Sequence, residues 1–304
     1  MTYRSLIALC VITASSLNAD EVSFTATDGG ATIHLNGKQF ATFVHTESPI
    51  GRPYISNVFT TDHIKVTRNH PTTKDDPDDH PHHQGIFFTW GQLNGLDYWH
   101  MRGRTVHDRF LKKPTSGKIA HFSTRSYYLA DDKKSKIAQE DATYTFRKTP
   151  FGILITLQAT VTGESSTAIF GSKEEGGLAV RMSKDLTVEA GASMTDDEGR
   201  NGGGEIWGKD SKWVDYAGKK QDRWVGVTLF TNPASFRKCW WHARDYGLLA
   251  ANPLGPLNDP KQSVVLKKGE SFTVHYGVMI HSNSDQAEYS PAKAYKYYLS
   301  QMPK

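Results

Sequence analysis

The amino-acid sequence predicts an all-β fold, a large antiparallel β-sandwich that ends in one short helix. Short runs of alternating apolar and polar residues recur along almost the whole chain, and this period of two is typical of half-buried strands. Val, Ile, Thr, Phe and Tyr dominate the runs, as a pleated surface favours. So many strands with a single convincing helix indicate antiparallel sheets packed face to face.

The strands and the helix follow from local patterns. A hairpin is predicted where residues 31–35 and 39–44 flank Asn36-Gly37, a dipeptide that two-residue turns prefer. Ser290 can cap a helix and Pro291 suits its first position, which predicts a helix over 292–302. Further strands are predicted at residues 64–67, 85–90, 119–129, 142–147, 153–161, 177–182, 186–189, 224–230, 248–251, 263–266 and 271–281.

Residues 1–19 have the order of a secretory signal peptide. Arg4 precedes an apolar run over residues 6–12, and small or polar residues then lead to Ala19. The apolar run is shorter than the roughly 20 residues that span a bilayer. We therefore expect a periplasmic or extracellular protein with one β-sandwich domain over residues 20–304. A retained N-terminal anchor is the alternative.

Composition limits the partners of the chain. The net charge is +4, and acidic and basic residues are interspersed, which argues against nucleic acid. No later segment is long and apolar enough to cross a membrane, so no membrane association is expected in the mature form. Removal of residues 1–19 takes Cys10 away and leaves Cys239, which we expect to be a buried small hydrophobe.

The first chemical cluster lies within residues 75–100. A polar, proline-broken loop brings Asp79, His80, His82 and His83 to the start of the strand predicted at 85–90. Histidine exchanges protons near neutral pH and ligates metals, so the cluster suits acid–base work or a metal site. In an extended backbone His80 and His82 would share a face and His83 would face the other way. The alternative is a hydrogen-bonded loop that only fastens the strand.

The second cluster lies within residues 172–182. Glu174 and Glu175 precede a Gly-Gly bend and a strand that carries Arg181. Because neighbouring side chains on an extended chain point in opposite directions, at most one of the two glutamates is expected in a cleft. An exposed acidic turn followed by a sheet arginine is the alternative.

The third cluster, within residues 205–255, interleaves tryptophans with polar residues. Trp207 is followed by Lys209, and Trp241 by the polar run His242-Ala-Arg244-Asp245. Sugar rings stack their C–H faces on aromatic planes while polar side chains bind the hydroxyls. Aromatic residues also build sandwich cores, and that interpretation is favoured for Trp213 and Trp240. A function is favoured for the polar run, since such residues are costly to bury without a purpose.

Together these motifs resemble a bacterial family of exported proteins of unknown function, labelled PmoA-like, methane-oxygenase PmoA or DUF6807. The resemblance covers nearly the whole mature chain and rests on residues 52–54, 66–68, 79–85, 94–99, 175–181, 207–209 and 241–247. A methane monooxygenase membrane subunit is helical and spans the bilayer, which a β-rich polar chain cannot do, so that activity is not carried over. A more distant similarity is to the galactose mutarotase-like super-sandwich, and it implies a histidine acid opposite a carboxylate or histidine base on a concave sheet.

The resulting hypothesis is an exported carbohydrate-active enzyme that transfers protons on an oligosaccharide or a uronate, by epimerisation, β-elimination or hydrolysis. His82 or His83 is the predicted acid and His242 its partner, with Glu175 or Asp245 as the carboxylate. The predicted substrate-binding residues are Arg68, Trp90, Asn94, Arg181, Trp207, Lys209, Trp241 and Arg244. One alternative is a non-catalytic saccharide-binding protein. No cofactor is predicted, although a copper or zinc site on His80, His82 and His242 is the other alternative.

Overall fold

The computed structural model describes residues 21–46, 51–255 and 259–302, so the predicted signal peptide lies outside the described residues. Eighteen strands form within these ranges. They are β1 (Val22–Thr27), β2 (Gly30–Leu35), β3 (Lys38–Val44), β4 (Tyr54–Ser56), β5 (Ile86–Trp90), β6 (Arg104–Thr115), β7 (Ala120–Leu129), β8 (Lys136–Thr149), β9 (Gly152–Gly163), β10 (Thr167–Phe170), β11 (Gly176–Arg181), β12 (Ser193–Asp196), β13 (Trp213–Lys220), β14 (Arg223–Thr231), β15 (Trp240–Arg244), β16 (Leu248–Asn252), β17 (Val264–Lys267) and β18 (Ser271–Asn283).

Two eight-stranded sheets account for sixteen of these strands, and β10 and β17 form a small third sheet. Sheet I has the order β1-β2-β3-β4-β5-β11-β16-β15, and sheet II has the order β12-β13-β14-β18-β9-β8-β7-β6. Neighbouring strands pair antiparallel throughout, for example β11 with β5 and with β16. The predicted antiparallel β-sandwich is therefore confirmed.

The main core lies between the two sheets. Phe88, Leu178 and Trp241 of sheet I belong to the same buried cluster as Leu157 and Val278 of sheet II. Alternation along the strands then sends the next residues of sheet I to its other face. A second buried cluster lies there, formed by Val44, Tyr54, Phe87, Trp99, Ala179, Leu248 and Ala250. This outer face of sheet I carries the candidate site.

Two α-helices complete the described chain, together with short 3-10 turns. Helix α1 (Gly202–Ile206) lies between β12 and β13, and helix α2 (Pro291–Ser300) follows β18. The Ser290 side chain accepts a hydrogen bond from the Lys293 backbone N–H, which confirms the predicted cap. Helix α2 packs on the outer face of sheet II, where Tyr298 joins Phe230 and Met279 in a third buried cluster. Among the described residues, no helix is long and apolar enough to cross a membrane.

Most of the predicted strands form, and two do not. The β2–β3 hairpin turns at Asn36 and Gly37, whose φ angles of 52° and 79° fit a two-residue turn. Residues 64–67 form only isolated bridges, at Lys65 and Thr67. Residues 186–189 fall in two 3-10 turns, because the Thr187 side chain accepts the Ala190 backbone N–H and closes the chain locally.

Candidate functional site

The three chemical clusters converge on one cavity, which we call the histidine cavity. Its volume is about 210 Å³. The loop before β5, the bend before β11 and the strand β15 each contribute side chains to its wall. The lining residues are His80, His82, His83, Trp99, His100, Glu174, Glu175, His242, Arg244 and Tyr246.

The floor of this cavity is a row of residues that pair across neighbouring strands of sheet I. Phe87 of β5 pairs with Ala179 of β11, Ala179 with Ala250 of β16, and Ala250 with His242 of β15. The two alanines leave space between the larger side chains. Trp99 fills part of it, with its ring 5.1 Å from Phe87 and 5.8 Å from His242, centroid to centroid.

The histidine loop is a turn and not an extended segment. The His83 backbone N–H donates to the His80 carbonyl at 2.9 Å, and His80 has a φ of 39°. The predicted opposite orientation of His83 is therefore wrong, because the turn brings all three rings to one side. His83 stacks with His80 at 5.0 Å and meets His82 at 4.3 Å between ring centroids.

Two buried arginines, Arg68 and Arg181, stabilise this turn through hydrogen bonds. Arg68 donates to the backbone carbonyls of Asp79, at 2.7 Å, and of Pro77, and Arg181 donates to both carboxylate oxygens of Asp79 at 2.9 and 3.0 Å. Both arginines are 2% exposed or less. Arg68, a predicted substrate-binding residue, therefore uses Nη1 and Nη2 to hold the loop and does not line the histidine cavity. Arg181 keeps Nε and Nη1 buried and without a partner among the described residues.

Arg52 links the histidine loop to the segment that carries Trp99. The sequence reasoning did not assign this residue to the site. Its guanidinium donates to the Gln84 side chain at 3.1 Å, to the carbonyls of Tyr98 and Trp99 at 2.9 Å each, and to the His82 carbonyl. Burial lowers the pKa of Arg52 to about 9. An Arg-Pro dipeptide in the sequence gives no signal of such a role, which depends on contacts 30 to 47 residues away.

Burial makes the central histidines neutral at physiological pH. It is the main cause that lowers the pKa of His82 to about 3 and of His242 to about 4, with Arg244 adding to the effect on His242. The pKa of His83 is also well below its usual range, first because of burial and then because of His82. Trp99 Nε1 donates to His83 Nε2 at 3.2 Å, so neutral His83 carries its proton on Nδ1.

Both glutamates line the histidine cavity, although only one was expected to. The chain bends at residues 174–175, before β11 begins at Gly176, so the alternation of an extended strand does not apply. Glu174 accepts hydrogen bonds from Trp207 Nε1 at 2.8 Å and from Arg244 at 2.9 Å. Burial, aided by the charge of Glu174, raises the pKa of Glu175.

His100 and Tyr246 are site residues that the sequence reasoning missed. Asp97 holds His100 through both oxygens, at 2.9 Å from the backbone N and 2.8 Å from Nδ1. The His100 ring lies 4.5 Å from His82. Tyr246 stacks on His80 at 4.7 Å. The spacing of three residues between Asp97 and His100 was a usable signal, whereas nothing in the sequence singles out Tyr246.

Three predicted binding residues belong to the scaffold instead. Trp90 and Trp241 are fully buried in the core between the sheets, because each lies on the inner face of its strand. Asn94 occupies a turn and fastens it to β10, where its side chain bonds to the Thr167 carbonyl and the Ile169 N–H. None of these three lines the histidine cavity.

A second cavity adjoins the first, and we call it the Trp207 groove. It has a volume of about 300 Å³ and is lined by Gly203, Gly204, Trp207, Ala243, Arg244 and Asp245. Asp245, a predicted catalytic carboxylate, lies in this groove and accepts the Gly203 N–H at 2.7 Å. Lys209 is exposed and lines neither cavity. Arg244 lines both cavities.

The predicted metal ligands His80, His82 and His242 all line the histidine cavity. Within residues 21–46, 51–255 and 259–302, however, no group of three or more His, Cys, Asp or Glu side chains is arranged to hold a metal ion. Cys239 is buried as expected, and burial raises the pKa of its thiol to about 12.

The model of a family of unknown function, DUF6807, matches residues 30–294, so the chain belongs to this family. That match carries no methane-oxygenase assignment. No curated protein matches the sequence.

Solved structures with a similar fold are distant from this chain. The galactosidase domain of an alpha-galactosidase-sucrose kinase has a TM-score of 0.40 at 8% identity, over 86% of this chain and 42% of its own. A galactose mutarotase related enzyme from Lactobacillus acidophilus has a TM-score of 0.33 at 12% identity, over 87% and 99%. A 4-alpha-glucanotransferase from Thermococcus litoralis has a TM-score of 0.31 at 12% identity, over 86% and 39%. The chain thus spans about two fifths of the first and third of these proteins.

Proposed function

We propose that the histidine cavity binds a carbohydrate and performs acid–base chemistry on it. The observation that carries the proposal is the composition of the cavity wall, with five histidines, two glutamates and an arginine around about 210 Å³. This volume is below the range of about 300–1,000 Å³ that is common for drug-sized ligands. It suits one sugar ring better than a large cofactor.

Unpartnered nitrogens in the wall support a hydroxyl-rich ligand. His82 Nε2, His83 Nδ1 and His242 Nδ1 are buried and have no hydrogen-bond partner among the described residues. Each buried nitrogen without a partner costs about 1–3 kcal/mol of folding stability, and a ligand hydroxyl that bonds to it would recover that free energy. A neutral imidazole has one donor and one acceptor, which matches the dual character of a sugar hydroxyl.

The pKa shifts support one division of the proton-transfer roles. Because burial raises the pKa of Glu175, this carboxyl holds its proton at a higher pH than a free glutamate and serves as the general acid. His242, with a pKa of about 4, is neutral at pH 7 and accepts a proton from the substrate. His82 and His83 are neutral for the same reason, which favours hydroxyl binding for them and Glu175 as the acid in their place.

The test combines a substrate screen with two variants. Neutral and uronate-containing oligosaccharides are incubated with the protein, and products are followed by NMR and chromatography. Glu175→Gln and His242→Gln should each lower turnover by about 10²–10⁴-fold. His121→Gln, on β7 of sheet II, is the matched control and should retain activity. Turnover that is unchanged in both site variants would refute the assigned roles.

A non-catalytic saccharide-binding protein is the second candidate. The unpartnered nitrogens of His82, His83 and His242 favour it equally, because hydrogen bonds to sugar hydroxyls need no proton transfer. Tight saccharide binding without any product after long incubation would select this function. In either case we propose that the protein acts outside the cytoplasm, on the strength of residues 1–19 alone.

A further inference from the structure

The Trp207 groove and the histidine cavity form one continuous polar surface. Arg244 lines both, and it lies on β15 two residues after His242, so the two side chains share the outer face of sheet I. Glu174, in the wall of the histidine cavity, accepts from Trp207 Nε1 and from Arg244 at the same oxygen, Oε2. The indole is therefore held at the border between the two cavities.

The two charged side chains of the groove already have hydrogen-bond partners. The Arg244 guanidinium lies 2.9 Å from Glu174, and Asp245 accepts the N–H of Gly203. Glu174, Arg244 and Asp245 together carry one net negative charge, which disfavours an anionic ligand but not a neutral polyhydroxylated ring. Trp207 is half-buried and has the Arg244 guanidinium 5.6 Å from its ring centroid, and the rest of the indole supplies the aromatic surface on which such a ring packs.

Gly204 lines the groove at a position where neither the backbone conformation nor the packing requires a glycine. Its φ lies outside the left-handed region, and a Cβ placed on it would meet nothing within 4 Å. By contrast, a Cβ on Gly203 would lie 3.0 Å from the Ala243 carbonyl oxygen. A glycine inside a helix costs about 0.5–1 kcal/mol relative to alanine. Neither the backbone nor the packing requires glycine at position 204, but an unobstructed groove does.

We propose that the ligand is a neutral saccharide of at least two rings, with one ring in the histidine cavity and the next on Trp207 in the groove. The proposal rests on the carbohydrate function proposed above and extends it from a single ring to a chain. It also assigns Gly204 as the position that gives the second ring its space.

The test measures binding against chain length by isothermal titration calorimetry. The probes are glucose, maltose and cellobiose, with galacturonate and digalacturonate as the charged pair. We expect a neutral disaccharide to bind about tenfold more tightly than its monosaccharide, which is the effect of one stacking contact. Gly204→Leu should abolish this preference and leave monosaccharide binding unchanged, while Trp207→Ala should also lose the preference. Ala292→Leu, an exposed helix position in α2, is the control for adding a leucine.

The outcomes separate the two proposals. Equal affinity for one and two rings, or a preference that survives in Gly204→Leu, would overturn the second-ring site and leave the carbohydrate function intact. A preference for digalacturonate over the neutral disaccharides would overturn the assignment of a neutral ligand. If no saccharide binds to the wild-type protein, the proposed function fails, and the second-ring site fails with it.

Discussion

Glu140 should make a contribution to the free energy of unfolding that decreases as the pH rises. The side chain lies on β8, is 4% exposed, and accepts a hydrogen bond from Tyr128. Burial raises its pKa from the ordinary value of 4.5 to about 7. A carboxyl whose pKa is raised on folding stabilises the fold below its unfolded pKa, and this contribution is lost as the pH rises through the folded pKa. The window therefore runs from about pH 4.5 to about pH 7.

The magnitude follows from the two pKa values. Their difference of about 2.5 corresponds to about 3 kcal/mol, at 1.36 kcal/mol for each pKa unit. This is a large share of the 5–15 kcal/mol that is typical of a folded domain. Glu140→Gln keeps the size of the side chain and an oxygen that can accept from Tyr128, but it cannot ionise. The variant should therefore gain stability relative to the wild type as the pH rises.

The assay is urea unfolding followed by tryptophan fluorescence, at pH values from 4 to 8.5. Other groups titrate in this range, so the measured quantity is the difference in unfolding free energy between Glu140→Gln and the wild type at each pH. We expect this difference to increase by about 3 kcal/mol between pH 4 and pH 8. A difference that stays constant with pH would show that Glu140 ionises as easily in the folded chain as in the unfolded one, which would refute the reasoning.

Three further predictions concern the site. Arg52→Met should destabilise the fold, because four buried acceptors lose their donor at a cost of about 1–3 kcal/mol each. Arg52→Lys should not restore the stability, since an ammonium cannot reproduce the planar guanidinium fork. Urea midpoints of both variants test this. Trp99→Phe leaves His83 Nε2 without its donor and should cost about 1–3 kcal/mol, whereas a change below 0.5 kcal/mol would mean that water replaces the indole. Folding disfavours the protonation of His242, so the free energy of unfolding should decrease as the pH falls from 6.5 through about 4. At pH 5 the wild type should have lost about 2 kcal/mol that His242→Gln retains. Parallel pH profiles of the two proteins would contradict this.

The fold was predictable from the sequence where local chemistry decides it. The Asn36-Gly37 turn and the Ser290 cap each depend on a few neighbouring residues, and both form as expected. Strand β6 was missed because it contains Lys112-Lys113-Pro114 and breaks its pairing with β7 at several bulges. It is an edge strand of sheet II, where exposed and irregular residues are tolerated.

The site was predictable in its parts but not in its geometry. The loop, the bend and the strand that form the histidine cavity are separated by about 90 and 70 residues, and no local pattern reports contacts at that range. The His80 turn shows the same limit on a smaller scale. Its direction depends on Arg68 and Arg181, which reach the loop from other elements. Only the three-dimensional structure places these partners together.

The prediction that Trp241 and His242 contact the same ligand was an avoidable error. Its cause also explains how sheet I combines core packing with ligand contact. Trp241 and His242 are consecutive residues of β15, so they point to opposite faces and cannot contact the same ligand. In the structure Trp241 lies in the core and His242 in the cavity wall. The same alternation places Leu178 in the core and Ala179 under the cavity. Stability and ligand contact therefore occupy alternate positions along each strand, and substitutions one residue apart should affect different properties.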